Sequence, residues 1–292
     1  MSRGSLGHSL AFGVAVLAVA GIDARIGHAH AQGTLDAQYN VTLGGIPFGK
    51  GAWRVDVRDD QFTATLSGAT TGLLQLFARG KATSAVRGTV SQGQPQGATY
   101  VSSIETEKKY DEVRMVMNGN SVKEFQAEPP TAPNPGRVPL TEAHRRGVTD
   151  PMTAALIRVP GQGDVFSPDV CQRRLAIFDG RMRYDLRFAY KRLDKVRSEK
   201  GYQGPVVVCA VYFAPLAGHV PDRAAIKYMT ELRDAEVALA PVAGTRLMVP
   251  YRVSLPTPLG AGVLQATQFT SVAHPPSSAS PLPSAVGSVK SR

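Results

Sequence analysis

The chain has 292 residues, 43% of them hydrophobic, enough for a real core in one large β domain or two ordinary ones. Its formal net charge of +10 suits anionic partners. The two cysteines lie too far apart to form a C-x-x-C redox motif.

Residues 1–31 read as a secretory signal peptide. Arg3 precedes a short apolar run, Leu10 to Gly21, and Ala29-His30-Ala31 fits a small-residue cleavage site before Gln32. The run is too short to span a bilayer and no later segment is apolar enough, so no transmembrane segment is expected after cleavage. An uncleaved anchor is the alternative. Sec export implies the periplasm, where the anionic partners of a basic protein are lipid headgroups, lipopolysaccharide or wall polymers, and not nucleic acid. Plain solubility is the other use of the charge.

From Leu35 apolar and polar residues alternate at period two: Tyr39, Val41 and Leu43, then Trp53, Val55 and Val57, then Phe62, Ala64 and Leu66. That period marks strands with one buried face. Gly44-Gly45, Asp59-Asp60, Gly93-Gln94-Pro95 and Asn118-Gly119 supply turns between them. Thr70 to Phe77 breaks the pattern, placing Leu73, Leu74, Leu76 and Phe77 at helical spacing. Such a helix can cap the core or act as a lid.

Glu128 to Arg137 (EPPTAPNPGR) is too proline-rich for a central strand. Strand patterns resume beyond it, which favours one sheet with a long crossover loop over a domain linker. Asp150-Pro151 predicts an N-cap and first helical position, and a third helix is expected from Asp222 through Ala225, Ile226, Met229 and Leu232.

In CQRRLAIFDGRMRYDLRF, Cys171 to Phe188, Asp179-Gly180 predicts a two-residue hairpin turn. Phe178 then faces Arg181, Leu175 faces Tyr184 and Arg174 faces Asp185. One face collects Cys171, Leu175, Ile177, Met182, Tyr184, Leu186 and Phe188, the expected inner side; the other collects Arg174, Arg181, Arg183, Asp185 and Arg187. Only Arg173 falls on the inner side and needs a partner there. The outer arginines form a candidate contact for an anionic surface, or a solvated face that protects the sheet. Pro205 to Phe213 (PVVVCAVYF) suits a strand buried on both faces. Cys171 and Cys209 are expected to form one disulfide in an oxidising compartment, contributing about 4 kcal/mol on the chain-entropy model.

Leu247, Val249, Tyr251, Val253 and Leu255 alternate again. A curled sheet presents such positions to its interior, so Leu175, Ile177, Tyr184, Leu186, Phe188, Val249, Tyr251 and Val253 form a candidate apolar cavity; ordinary core is the alternative. From His274 the tail is expected to be disordered. Beyond the leader only His144, His219 and His274 occur, none at metal-ligand spacing, and no G-x-S-x-G elbow, P-loop or strand-linked G-x-G-x-x-G is present. Asp179, Asp185, Asp234 and Glu236 are carboxylates with no pattern that selects an acid/base pair. No metal, cofactor or catalytic residue is assigned.

The cysteine with Phe178-Asp179-Gly180-Arg181 and Tyr184-Asp185-Leu186, then Gly204-Pro205 to Cys209, Gly218-His219 and Met229 to Ser254, resemble the exported bacterial family of domain of unknown function 3108. Arg146 to Pro151 and the opening strand YNVTLGGIPFGKG fit it too, so the resemblance covers about residues 37 to 272. The family has no established reaction, and no catalytic residue is carried over from it. More loosely, the build is similar to envelope integrity protein B and to the lipoprotein carriers LolA and LolB, which implies hydrophobic binding or envelope maintenance.

The sequence therefore predicts a mainly β protein, an antiparallel meander curled into a partly open barrel or spiral with two or three short helices. Residues 1–31 are the leader, 32–272 the barrel-like domain and 273–292 the tail. The expected role is non-catalytic, binding a lipid or lipoprotein acyl chain. The alternatives are a structural envelope module that binds a protein partner, and an unrecognised periplasmic hydrolase.

Overall fold

The computed structural model describes residues 32–71 and 79–275. The expected signal peptide, residues 72–77 of the helix expected at Thr70 to Phe77, and the tail from residue 276 lie outside the described residues, while Thr70 ends the third strand. Alternation yields strands where it was read: β1 (Gln32–Leu43), β2 (Ile46–Val57) and β3 (Gln61–Thr70). β4 (Gly80–Ser91), β5 (Gln94–Thr106), β6 (Tyr110–Asn118) and β7 (Ser121–Glu128) continue the meander. Between β4 and β5 the turn is Gln92-Gly93, both with positive φ, so Gln94 and Pro95 open β5 instead of turning the chain.

Beyond the proline-rich segment come α1 (Pro151–Ala154), β8 (Ile157–Arg158), β9 (Arg174–Phe178), β10 (Arg183–Arg197), β11 (Lys200–Gly201) and β12 (Gln203–Ala217). α2 (Ala224–Glu231), β13 (Glu236–Pro241), β14 (Leu247–Leu255) and β15 (Gly262–His274) complete the order. Asp150 caps α1 as expected, its Oδ1 accepting from the Thr153 amide at 2.9 Å. α2 differs: its N-cap is Arg223, and Asp222 pairs instead with Lys227 at 2.9 Å. Ala273 and His274 belong to β15, opposite Gly33 and Gln32, because the first strand offers them ladder partners.

All fifteen described strands share one sheet, with the main path β7-β6-β5-β4-β3-β2-β1-β15-β14-β13-β12-β10-β9. First and last strands pair, so the meander runs outward from the β1–β15 ladder in both directions. One buried apolar cluster contains Val55, Phe62, Val113, Phe178, Val208 and Phe269, drawn from strands on both arms, so the sheet is curled around a common interior. Strand ladders do not close it. The seam lies between β7 and β9, and residues Arg146 to Thr149 span it. There the Val148 amide donates to the Asn120 carbonyl at 2.8 Å, and the Thr149 amide donates to the Ala176 carbonyl at 2.9 Å.

A second cluster holds Ile157, Val170, Cys171, Val207, Cys209 and Leu239. It covers the opposite face of the second arm. Strand β12 is consequently buried on both sides, Val206 and Val208 in the barrel core and Val207 and Cys209 in the second cluster. The expected disulfide is present: Cys171 to Cys209, Cα atoms 5.5 Å apart. It fastens the turn at Pro168–Cys171 to β12.

The ribbon around Asp179 departs from its expected form in two ways. Arg183 faces Phe178 and Tyr184 faces Ile177, two residues out of the expected register. The Asp179 carboxylate accepts from the amides of Arg181 at 2.8 Å and Met182 at 2.6 Å, which draws both into a four-residue turn. A shift of two keeps every side chain on its face. The faces themselves are used the other way round: Ala176 and Phe178 pack in the barrel core, while Leu175, Leu186 and Phe188 pack in the second cluster. With apolar material on both sides of the sheet, amphipathicity alone does not say which side is inward.

Candidate functional site

Along β2 to β4 the inward positions change character partway. Toward one end they are Val55, Val57, Phe62, Ala64 and Val86, all buried. Toward the other they are Gly49, Gly51, Gly68, Gly80 and Ala82. Large side chains fill the first end, and small ones leave the second hollow. The result is a cavity of about 630 Å³, within the range of pockets that hold small ligands.

Its described walls are overwhelmingly apolar. Tyr39, Trp53 and Tyr100 form the inner end, with Met152 and Ala155 of the α1 segment beside them. Leu66, Val253 and Leu264 line the sides, and Val41, Phe48 and Ile104 stand nearer the rim. Ile104 is 51% exposed and Phe48 37%, so the cavity reaches the surface at the end where β3 stops and β4 starts. The Tyr39 hydroxyl donates to the Pro250 carbonyl at 2.8 Å, tying β1 to β14 beneath the cavity. Burial pushes the Tyr39 and Tyr100 hydroxyls up from their ordinary pKa values. Trp53 is buried and its Nε1 has no hydrogen-bond partner in the protein.

Of the eight residues expected to line a cavity, Val253 does so. Leu175, Leu186 and Phe188 pack in the second cluster and Val249 and Tyr251 in the barrel core. Ile177 is buried, and the Tyr184 ring packs on Phe213 with centroids 5.4 Å apart. The sequence signal that finds the real cavity is the run of small residues at inward strand positions.

The four arginines expected to face an anionic surface are unequally placed. Arg181 reaches across the seam to Asp111 at 3.2 Å and also donates to Thr131 Oγ1 and the Pro129 carbonyl at 3.0 Å. Arg183 is 11% exposed and donates to Asp185 at 2.6 Å. Burial of the adjoining Phe178 draws both positions inward, where carboxylates balance them. Arg174 also pairs with Asp185, and Arg187 stacks on the Tyr212 ring at 4.5 Å; these two are exposed. Arg173 finds its partner in the Val170 carbonyl at 2.6 Å.

The carboxylates do not converge on an acid/base pair. Asp179 serves the turn and Asp185 the two arginines. Glu236 accepts from Arg192 at 3.0 Å and Lys191 at 2.5 Å, which hold its pKa down to about 2. Among the described residues no group of histidine, cysteine and carboxylate side chains is arranged to hold a metal ion, and no helix is long and apolar enough to cross a membrane.

No curated protein matches the chain. Among solved structures it is similar to a beta-barrel-like protein of domain of unknown function DUF1849 from Brucella abortus, with 8% identity and a TM-score of 0.46 over 84% of this chain and 99% of that one. The model of the family described as "Protein of unknown function (DUF3108)" matches residues 38–267, and the chain belongs to that family.

Proposed function

We propose that this is a non-catalytic periplasmic protein of the cell envelope, which holds the acyl chain of a lipid or lipoprotein in its barrel. The apolar cavity of about 630 Å³ carries the reading: such a hollow sacrifices core packing, and an apolar ligand restores it. Export is inferred from the leader and is consistent with the Cys171–Cys209 disulfide. The exposed arginines, Arg174 and Arg187, retain the proposal of contact with an anionic envelope surface.

Trp53 is the only tryptophan in the chain and lines the cavity, so its fluorescence reports occupancy directly. Titration with a bromine-labelled fatty acid is expected to quench it at saturation with one equivalent. Native mass spectrometry of protein taken from its own envelope should show the bound mass. Unquenched Trp53 together with a reproducibly empty protein would refute the reading.

A further inference from the structure

The cavity's size and the charges at its lip restrict the occupant further. A volume of about 630 Å³ lies in the range of pockets that hold one small ligand. A single acyl chain fits that range.

Two lysines stand on the outer side of the lip, with Glu105 of β5 next to Lys81 in the ladder. Lys50 faces Ala69, and Ala69 faces Lys81, so the two lysines form a row across β2, β3 and β4, one residue from the end of β3 and the start of β4. At ordinary strand spacing their backbones lie roughly 10 Å apart. Both are exposed and both border the cavity, from the far side of a wall whose inward positions are Gly51 and Gly68. Among the described residues no carboxylate forms an ion pair with either. Arg54, in contrast, two register positions toward the packed end from Ala52 on β2, is paired with Asp36 at 3.0 Å.

We infer that the occupant is a single-chain amphiphile with an anionic head group, carboxylate or phosphate, its tail in the cavity and its head at Lys50 and Lys81. This rests on the acyl-chain reading above. A tail seated against Trp53 and Leu66 has its polar end at the rim, where water and the Lys50 and Lys81 ammonium groups are within reach.

The test titrates the purified protein with palmitate, palmitoyl-lysophosphatidylglycerol, palmitoyl-lysophosphatidylcholine and dipalmitoyl-phosphatidylglycerol, following Trp53 fluorescence and counting bound molecules by native mass spectrometry. The three single-chain compounds are expected to bind at one equivalent, and the two-chain lipid at least about tenfold more weakly. Lys50→Gln/Lys81→Gln should weaken the two anionic single-chain compounds by about tenfold or more and leave lysophosphatidylcholine unchanged. Lys195→Gln on β10 serves as the control for nonspecific charge and should change nothing. Circular dichroism of the double variant, whose changes are both at exposed positions, confirms an intact sheet.

Equal affinity for the two-chain lipid overturns the single-chain assignment. An unchanged anionic affinity in the double variant, or an equal loss in Lys195→Gln, overturns the assignment of the head group to the lip. In either case an acyl ligand in the cavity still stands. Absence of binding in all four titrations removes the acyl reading itself.

Discussion

Gly180 occupies a position that no other residue can take without displacement. Its φ is +90°, and a β-carbon built there falls 2.3 Å from Val113 Cγ1 on β6. The turn therefore presses directly on the opposite side of the seam, and Arg181 beside it reaches to Asp111. Gly180→Ala is expected to lower stability by about 2 to 3 kcal/mol in urea titration, from strain and overpacking together. Asp185, 2% exposed, is the common partner of Arg174 and Arg183. Its replacement by asparagine leaves Arg183 without a counter-charge and should cost about 3 to 5 kcal/mol. Two other carboxylates respond to pH with opposite signs. Arg192 and then Lys191 hold Glu236 low, so its contribution is present above the ordinary carboxylate range and fades as pH falls from about 4.5 toward about 2. Glu236→Gln should flatten that acid limb in thermal melts. Burial raises Asp150, so its folded form favours the proton and its contribution is lost as pH rises. Asp150→Asn retains an acceptor for the Thr153 amide and is expected to be the more stable form near pH 8, with little change in acid, as urea titrations at the two pH values would show.

At the level of elements, the strands of the first arm were legible from period two alone. Tyr39, Trp53, Val55 and Phe62 all face the interior that their alternation predicts. The double burial of Val206 to Cys209 was also legible, because a continuous apolar run has no polar face to expose. The ribbon from Arg174 to Arg187 shows where pattern reading stops. Alternation identifies two faces and survives a two-residue slip, but a second apolar cluster makes both faces acceptable to Leu175 or Phe178. The side-chain bonds of Asp179 then decide the turn, and they depend on where its carboxylate lies in space. The pairing of Cys171 with Cys209 needed only the number of cysteines. For the closed loop, 38 residues apart in sequence, the Cys171→Ser/Cys209→Ser variant should be about 4 kcal/mol less stable at 25 °C on the chain-entropy model.

Across the whole molecule the interior is divided, packed at one end and hollow at the other. This division was not legible from a search for apolar residues. Leu175, Phe188 and Tyr251 are as greasy as a cavity wall requires, yet each is consumed by packing, whereas the hollow arises where glycine and alanine take inward positions. An apolar count finds cores; missing side chains find cavities. Ala82→Leu fills the hollow from an existing wall and is expected to abolish Trp53 quenching while leaving the urea midpoint unchanged or raised. Gly68→Ala is a gentler version, since a β-carbon there meets the Lys50 carbonyl at an ordinary 3.5 Å.

Pairing Gln32 with His274 sets both ends of the described barrel at one pole. Both arms of the polypeptide leave the sheet side by side at its packed pole, about 40 Å of strand away from the pole that opens. Chain that continues from Gln32 or from His274 therefore joins the described barrel at the pole opposite its opening.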